Sequence, residues 1–574
     1  MAVLPSYNAI LGNFHYLCHL GSGNSPARLN SPKESLWLPT GQAKIKMQNA
    51  KLQFKIQNLR KKYPRFIYEK YFWKILGGDL NISFVFKIEP DIEFNPKIII
   101  KNIDKNRTKG LGNRILDNLI FNLGLIEMLS YWKATCSPEI LIEAGPLSMN
   151  ASPSSPSSTN LRFVSINKEQ IKYPSVARRE DERKFIDWWK DLIMNGMSQF
   201  FYENKIDFRK PNFLKFNVTR KDFVTNVTRK ELATSKEGVL VPVGGGKDSV
   251  VTLEILKKSK KELSFFSLNP TGAAQKIMKI AGVKEPIIVR RKIDEKLFEL
   301  NRQGFLNGHT PFSAELALLS VLVATIFGRK YIVLSNERSA NEGNLKYLGK
   351  MINHQWSKSF EFEERFREYS QKYLTPGVKY FSFLRPLYEI QIAKLFSKYP
   401  QYFNAFLSCN EAYKTYSGTK LPTKKWCGKC PKCLFIFAIL YPFIGDKVIK
   451  IFGKNLFEDK NLLPIMQELI GEKKFKPFEC VGTKKESLIT FYLSWKKYRG
   501  QTPVNLPALL KHFEEKILPK YQNLAPYRTY SGAGLEGKSI KILNSWNNQH
   551  SLPREFEKIL KGAITSLHKF RYTK

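Results

Sequence analysis

Three consecutive glycines, Gly244 to Gly246, followed by Lys247, Asp248 and Ser249, form the stretch of this chain best suited to holding an anion. Glycines let backbone N–H groups turn inward without a Cβ in the way, and a helix that follows presents unpaired N–H groups and the positive end of its dipole. The lysine adds a point charge, the aspartate can cap the helix or help hold a metal ion, and the serine can donate its hydroxyl. The stretch predicts a phosphate-binding loop, with an ordinary glycine turn as the alternative.

Four of the seven cysteines are grouped late in the chain. Cys427, Cys430 and Cys433 follow at two-residue spacings, and Cys409 lies 18 residues earlier. Four thiolates at such spacings can close a tetrahedral zinc shell with bonds of about 2.3 Å and no open position, which makes the site structural. An iron–sulfur cluster uses the same ligands, and unliganded buried cysteines are the third option. Cys480 stands apart, and we expect a buried small hydrophobe there rather than a thiol facing the site.

The elements that position the glycine loop are predicted by alternation. The segment from about 237 to 400 alternates strands and helices, which predicts a parallel sheet with helices on both faces. Ligands of such sheets bind at the carboxyl ends of the strands. That rule places the loop in one crevice with the polar stretches Asn307–Pro311 and Ser335–Asn344. His309 and His354 are the histidines that fall in polar stretches, and both a substrate contact and a structural role remain open for them.

Upstream of the loop, the pattern predicts a separate folded unit. Leu80, Ile82, Phe84, Phe86 and Ile88 alternate with polar neighbours, as in a strand with one buried face, and a helical pattern follows them. The predicted regions are a poorly ordered extension at 1–50, an α+β module at 51–146, a Ser/Pro-rich linker or insertion at 147–178, a helical connection at 179–236, the loop-bearing α/β domain at 237–408, and a Cys-rich, mostly helical region at 409–574.

Charge and hydropathy limit the class of protein. The chain carries 93 Lys and Arg against 50 Asp and Glu, a formal charge of +43. Such a field attracts nucleic acid, but the lysines are spread through the chain, as a coding bias would leave them. No apolar run reaches the roughly 18 residues of a membrane span, and no signal peptide is evident at the start. We therefore expect a cytoplasmic protein with no membrane partner.

The sequence Gly-Gly-Gly-Lys-Asp-Ser resembles the pyrophosphate loop (PP-loop) of the ATP-pyrophosphatase superfamily, usually Ser-Gly-Gly-x-Asp-Ser. That superfamily releases pyrophosphate and transfers AMP to a substrate. Gly244 stands where serine is common, so one loop hydroxyl is missing. The spacing does not match the P-loop NTPase signature, which needs Gly-x-x-x-x-Gly-Lys-Ser/Thr.

Several stretches in one order resemble a single family within that superfamily, the bacterial UDP-N-acetylmuramoyl-L-alanyl-L-glutamate epimerases. The resemblance runs from about residue 60 to 500. The stretches that carry it are Val241–Ser249, Asn307–Pro311, Asn336–Asn344, Asn353–Ser359, Ser408–Asn410, Trp426–Cys433 and Lys476–Thr483.

The resemblance implies an isomerase of peptidoglycan precursor synthesis, and so of cell wall biogenesis and cell shape. It would use ATP and Mg²⁺ to invert the terminal L-glutamate of UDP-MurNAc-L-Ala-L-Glu through an acyl-adenylate, releasing AMP and pyrophosphate. The implied fold is an adenine-nucleotide α-hydrolase-like parallel sheet at 237–408, preceded by the α+β module and followed by the Cys-rich helical region, whose zinc would be structural.

Roles for individual residues follow as hypotheses from the loop and the resemblance. The phosphates are assigned to Gly244, Gly245, Gly246, Lys247, Asp248 and Ser249. The reacting end is assigned to Asn336, Arg338 and Glu342, with Arg338 suited to gripping a carboxylate or phosphate. The candidates for acid and base are His309, Glu337, His354 and Lys358. The proposed metal ligands are Cys409, Cys427, Cys430 and Cys433.

Two other classes of function stay open at this point. A PP-loop enzyme acting on a nucleobase or transfer RNA, similar to 7-cyano-7-deazaguanine synthase or to a thiolase, would also join such a loop to a late cysteine group. The synthase lacks a large N-terminal module, and a thiolase usually needs redox-active cysteines near its loop, whereas none lies between 137 and 408. The other class is a basic nucleic-acid-binding protein with an inactive nucleotide site. Its affinity for nucleic acid would fall steeply as the salt concentration rises, and it would turn over no ATP.

Overall fold

The computed structural model describes residues 41–103, 113–144, 175–219, 236–413, 425–501, 505–522 and 534–568. Most of the predicted extension at 1–50 and most of the Ser/Pro-rich stretch at 147–178 lie outside these ranges. The described strands are β1 Arg65–Leu76, β2 Asp79–Ile88, β3 Ile92–Phe94, β4 Lys97–Ile100, β5 Glu139–Ile142, β6 Lys215–Val218, β7 Lys236–Pro242, β8 Leu263–Leu268, β9 Ile287–Lys292, β10 Arg329–Leu334, β11 Leu345–Tyr347, β12 Lys350–Ile352 and β13 Lys379–Ser382.

The α-helices of the described ranges surround and follow these strands. In chain order they are α1 Gly41–Lys62, α2 Asn113–Glu127, α3 Leu129–Trp132, α4 Ser175–Gly196, α5 Ser198–Glu203, α6 Lys247–Lys257, α7 Gly272–Ile280, α8 Glu295–Arg302, α9 Phe312–Ile326, α10 Phe360–Tyr369, α11 Glu389–Phe396, α12 Pro431–Ile444, α13 Lys447–Phe452, α14 Leu463–Ile470, α15 Lys484–Arg499, α16 Ala508–His512, α17 Pro519–Gln522, α18 Leu535–Leu543 and α19 Arg554–His568.

One half of the sheet is parallel, in the order β13-β10-β7-β8-β9. Successive side chains of a strand point to opposite faces, so a strand buried on both faces is apolar throughout. In β7, Leu240 belongs to the hydrophobic core of one face, whereas Val239 and Val241 belong to the core of the other. The mixed α/β fold with a parallel-rich sheet is therefore confirmed.

The strands of the upstream unit extend this same sheet instead of forming a sheet of their own. β4 pairs antiparallel with β9, with Ile100 opposite Val289, and the order continues β4-β2-β1-β5-β6. β3 pairs with β2 and completes the 11 strands. Periodicity predicts that β2 exists but carries no information about which distant strand lies beside it, so the junction is visible only in the structure.

Predicted and observed elements agree best where the pattern is long. The alternating run at 80–88 is β2, and the predicted helix from about Pro311 is α9, which begins at Phe312. The helix predicted near Arg183 begins earlier, at Ser175, and α1 begins at Gly41, inside the predicted extension. Within the described ranges, no helix is both long enough and apolar enough to cross a membrane.

Candidate active site

The glycine loop connects β7 to α6 and requires glycine at its centre. Gly245 has φ +100°, and a Cβ there would lie 2.9 Å from the backbone nitrogen of Ala274. Gly246 is the N-cap of α6 and provides no side chain to cap it, so the first N–H groups of the helix face the loop. Ser249 donates its hydroxyl to the carbonyl of Gly246 at 2.9 Å. The loop is a preformed concave surface rich in donors.

Lys247 is buried behind this loop between two carboxylates. Its side chain is 1% exposed and is ion-paired with Asp248 at 2.5 Å and with Glu389. Burial alone would lower the pKa of Lys247, but the two carboxylates outweigh burial and raise it, so the lysine stays charged. Glu389 is the first residue of α11, which the sequence did not single out because no motif marks a buried carboxylate at a helix start.

The loop and the polar stretch after β10 share one crevice. Glu337 is buried, and burial together with the charges of Glu389 and Asp248 raises its pKa to about 8. A carboxyl with that pKa is mostly protonated at neutral pH and can donate a hydrogen bond. Lys358 has its pKa raised by the nearby Cys480 and Glu337, against the effect of burial, so it remains a cation.

Arg385 supports the backbone of this crevice from beneath. It is fully buried and donates to the carbonyl oxygens of Glu337 at 2.6 Å and Lys358 at 2.5 Å. It also donates to the carboxylate of Glu363 at 3.1 Å. A charged side chain that satisfies two carbonyls fixes the positions of both neighbouring side chains. Sequence inspection missed Arg385 because it lies outside the polar stretches.

Cys480 faces the crevice, so the expectation of a buried small hydrophobe is wrong. Its side chain is only partly buried, and Lys358 Nζ lies 3.2 Å from its Sγ. Lys432 donates to its backbone carbonyl. The segment around it is held in place by Asn344, whose amide donates to the carbonyl of Pro477 at 2.7 Å. Together these contacts place a thiol beside an ammonium group.

His309 and His354 lie together near Lys358. Their ring centroids are 4.7 Å apart. Burial and the charges of Lys358 and Lys476 lower the pKa of His354 to about 3, and burial with the neighbouring His354 lowers that of His309. Both rings are therefore neutral at physiological pH. His354 Nδ1 lies 2.5 Å from Gln199 Oε1.

The three residues assigned to substrate binding have different surroundings. Asn336 donates to the hydroxyl of Ser382 at 3.2 Å. The Arg338 guanidinium lies over the ring of Tyr388, 4.3 Å from its centroid. Glu342 accepts from the first N–H of α15 at 3.1 Å and is 3.1 Å from Lys476 Nζ, so its carboxylate is engaged within the protein. The structure gives Glu342 a role in holding α15 in place.

The four grouped cysteines converge. The sulfur atoms of Cys409, Cys427, Cys430 and Cys433 all lie within 4.8 Å of one another. Cys427 and Cys433 are 3.6 Å apart, and Cys409 and Cys430 are 4.0 Å apart. A tetrahedral ion with sulfur bonds of about 2.3 Å separates its ligands by about 3.8 Å. The set therefore has the dimensions of a four-thiolate metal site.

A cavity of about 720 Å³ opens beside the glycine loop. Thr271 and Ala273 line it on the side that contacts Gly245, and Phe403, Tyr413 and Trp426 supply aromatic walls. A pocket with aromatic walls next to a donor-rich loop suits a ligand that is flat at one end and anionic at the other.

The fold and the site define a class: a mixed α/β protein with a donor-rich glycine loop and a cluster of buried titratable side chains at the carboxyl ends of parallel strands. A family model described as "MurL N-terminal domain" matches residues 163–383, and one described as "MurL C-terminal domain" matches residues 405–521. These ranges together cover more than half of the 574 residues. The chain belongs to the MurL family.

Three curated proteins are similar to the chain, and each is named UDP-N-acetyl-alpha-D-muramoyl-L-alanyl-L-glutamate epimerase. The protein of Salinispora tropica is 40% identical over 305 residues, covering 53% of this chain and 64% of that protein. The Micromonospora protein is 40% identical over 255 residues, covering 44% and 56%. The Xanthomonas oryzae protein is 35% identical over 288 residues, covering 49% and 61%. The chain thus spans 56% to 64% of the length of these relatives.

Proposed function

We propose that this chain is an ATP-dependent epimerase that inverts the terminal L-glutamate of UDP-MurNAc-L-Ala-L-Glu in peptidoglycan precursor synthesis, in the cytoplasm. The observation that carries the proposal is the shared crevice: the carboxylate of Asp248, next to the glycine loop, lies close enough to Glu337 to raise its pKa. A phosphate-binding element thereby meets a set of acid–base groups. The names of the three relatives supply the substrate.

The chemistry explains why a phosphate-binding loop belongs in an epimerase. Removal of the Cα proton beside a carboxylate would add charge to charge, so the proton is hard to remove. Transfer of AMP from ATP to that carboxylate releases pyrophosphate and turns the carboxylate into the uncharged acyl carbonyl of an acyl-adenylate, so the Cα proton becomes more acidic. A base removes the proton, an acid returns one on the opposite face, and water then releases AMP and the inverted glutamate.

The residues around the loop fit an adenine nucleotide. The donors of Gly244 to Gly246 and the start of α6 would bind the phosphates, and the aromatic walls of the neighbouring cavity suit the base. Asp248, half-buried at the loop, is the carboxylate suited to Mg²⁺. Bound magnesium would supply positive charge to the phosphate oxygens. These features support membership of the PP-loop superfamily.

We assign proton transfer to two positions in the crevice. One is the Lys358–Cys480 pair, in which an ammonium group lies 3.2 Å from a thiol. The other is His354, a neutral imidazole whose pKa is lowered partly by lysines. A bound anion would offset those lysine charges and raise the basicity of His354 when substrate is present. Protonated Glu337 is placed to donate a hydrogen bond to a developing negative charge.

The four cysteines would hold a structural zinc ion. A single tetrahedral ion matches sulfur separations of 3.6 and 4.0 Å, whereas an iron–sulfur cluster spreads its thiolates over several iron atoms. Four protein ligands leave no position for substrate, so the zinc would stabilise the fold and take no part in the reaction.

Incubation with ATP, Mg²⁺ and UDP-MurNAc-L-Ala-L-Glu in deuterated water tests the proposal. Deuterated D-glutamate, with AMP formed only when the dipeptide substrate is present, is the expected result. Unchanged L-glutamate and no AMP from folded protein would overturn it.

Substitution Cys480→Ala tests the two positions assigned to proton transfer. Inversion should stop, while one epimer of the substrate still exchanges its Cα hydrogen through His354. Loss of exchange in both epimers would remove the two-position assignment.

A further inference from the structure

The hydroxyl of Ser408 is a buried polar group without a partner beside the glycine loop. Its Oγ is buried and makes no hydrogen bond within the described part of the chain. The Cβ of Ser408 lies 3.7 Å from where a Cβ on Gly246 would lie. The preceding residue fixes this approach, because Leu407 N donates to the carbonyl of Gly245 at 2.9 Å.

A buried hydroxyl without a partner is costly, and most such groups in folded proteins are satisfied. The neighbours of Ser408 on the loop side identify what would satisfy it. Gly246 caps α6 without a side chain, and the N–H groups that follow are donors. The buried Lys247 is already ion-paired with Asp248 and Glu389 and is not counted among them. A ligand that accepts from all of these groups and from a hydroxyl is an anion with several oxygens.

We propose that Ser408 donates its hydroxyl to the phosphate chain held by the glycine loop. The hydroxyl that the loop lacks at Gly244 would then come from a segment more than 160 positions later in the chain. This inference rests on the proposed use of ATP but adds a binding residue to it. Ser408 acts on the bound phosphates directly, and its neighbour Cys409 ties the same segment to the cysteine centre.

A serine at Gly244 in the loop can replace the hydroxyl that Ser408→Ala removes. A Cβ on Gly244 would meet nothing within 4 Å, so serine fits at that position. Substitution Ser408→Ala should weaken binding, and Gly244→Ser added to it should restore binding by returning a hydroxyl to the same anion. A second buried hydroxyl without a hydrogen bond, that of Ser487 in α15, supplies the control Ser487→Ala.

Isothermal titration of the full chain with MgATP, and separately with inorganic pyrophosphate, measures the effect. Loss of one hydrogen bond to a charged group predicts roughly tenfold weaker binding of both probes by Ser408→Ala. Ser487→Ala should bind both as the unsubstituted chain does, and Gly244→Ser/Ser408→Ala should recover most of the loss. The metal content of each variant is measured as well, because Ser408 directly precedes Cys409 of the cysteine centre.

The outcomes separate this inference from the proposed function. If the unsubstituted chain binds MgATP and Ser408→Ala binds it equally well, the role of Ser408 is overturned and the use of ATP stands. If Ser408→Ala binds weakly but Gly244→Ser does not restore binding, the loss is structural and the inference is again overturned. If the unsubstituted chain binds neither probe, the use of ATP fails and the role of Ser408 fails with it.

Discussion

Gln199 determines which nitrogen of His354 carries the proton. Its Nε2 donates to the carboxylate of Glu203 at 2.7 Å, so its Oε1 accepts, and the partner at 2.5 Å is His354 Nδ1. A neutral imidazole protonated at Nδ1 has a free lone pair at Nε2. Gln199 and Glu203 lie four residues apart on α5, and their hydrogen bonds leave Nε2 of His354 free to accept the proton in the proposed reaction.

Substitution Gln199→Leu should remove the hydrogen bond that holds the proton of His354 on Nδ1. The ring of His354 would then sample both tautomers, and kcat should fall about tenfold to hundredfold with little change in KM, since the base is present but misoriented for part of the time. The tautomer is read from the ¹⁵N chemical shifts of protein labelled at histidine, with His354 assigned by its loss in His354→Asn.

Gln199→Glu is the matched control, because a carboxylate at this position still accepts from Nδ1. Its spectrum should keep the Nδ1–H form. An unchanged tautomer in Gln199→Leu would show that Gln199 does not set the proton position. Because the spectrum requires no turnover, it reports on His354 even if the proposed reaction is wrong.

At the scale of elements, the cysteine centre connects three parts of the site. Cys409 follows the segment that bonds to the glycine loop, and Cys430 and Cys433 flank the start of α12. On α12, Lys432 reaches the carbonyl of Cys480. An ion bound by these thiolates would fix the loop, α12 and the thiol of the crevice relative to one another.

Substitution Cys433→Ser should therefore lose the metal and lower the melting temperature by several degrees, because a three-thiolate shell binds zinc more weakly and the buried segment loses its crosslink. Metal analysis of the purified chain should give about one zinc and little iron per molecule. Cys480→Ser, which changes a cysteine outside the group, should keep the zinc. Equal metal content in Cys433→Ser and the unsubstituted chain would contradict a four-thiolate site.

At the scale of the whole molecule, buried carboxyls link stability to pH. Besides Glu337, Glu315 on α9 has its pKa raised to about 8 by burial and the nearby Glu127, against the effect of Arg291. Arg291 Nε lies 2.8 Å from both carboxylates. Glu127, Arg291 and Glu315 form a cluster that joins α2 of the upstream unit to β9 and α9 of the parallel half. Protonation of this cluster therefore affects how the upstream unit is held against the parallel half of the sheet.

Stability should fall between pH 6.5 and 8. In this window the folded chain holds protons on Glu337 and Glu315, whereas the unfolded chain, with carboxyl pKa values near 4.3, does not. Each such carboxyl removes up to about 1.4 kcal/mol of stability per pH unit as pH rises, and the effect ends above its folded pKa. His309 and His354 act in the opposite direction near pH 6.5, because the folded rings are neutral whereas the unfolded imidazoles, with pKa values near 6.5, are partly protonated. Their contribution is smaller than that of the two carboxyls, because the unfolded imidazoles are almost fully neutral by about pH 7.5.

Melting temperatures at pH 6.5 and 8.0, at constant ionic strength, measure this slope. Glu337→Gln should make it shallower, since glutamine has no proton to lose. Glu557→Gln is the control: its carboxylate, paired with Lys561 on the surface, has a lowered pKa and is charged in both states throughout the window. Identical slopes for Glu337→Gln and the unsubstituted chain would show that Glu337 is ionised in the folded state.

How far the sequence predicted the molecule depended on the range of the interactions. Local spacing was enough for the β7–loop–α6 unit and for three of the four cysteines, because neighbours in sequence determine both. Glu389, Arg385 and Gln199 were missed because each acts through a partner far along the chain, and a buried charge leaves no periodic trace. Ser408 was noticed only as part of a motif, since its unpaired hydroxyl is a property of packing.

The antiparallel junction between β4 and β9 has a consequence for synthesis on the ribosome. β4, with the sequence Lys-Ile-Ile-Ile, emerges with its edge unpaired, and its partner follows about 190 residues later, which at 5–20 residues per second is roughly 10 to 40 seconds. An apolar strand edge left open is a template for pairing with other chains. Nascent chains of this protein thus pass through an aggregation-prone interval, which a chaperone that shields strand edges would shorten.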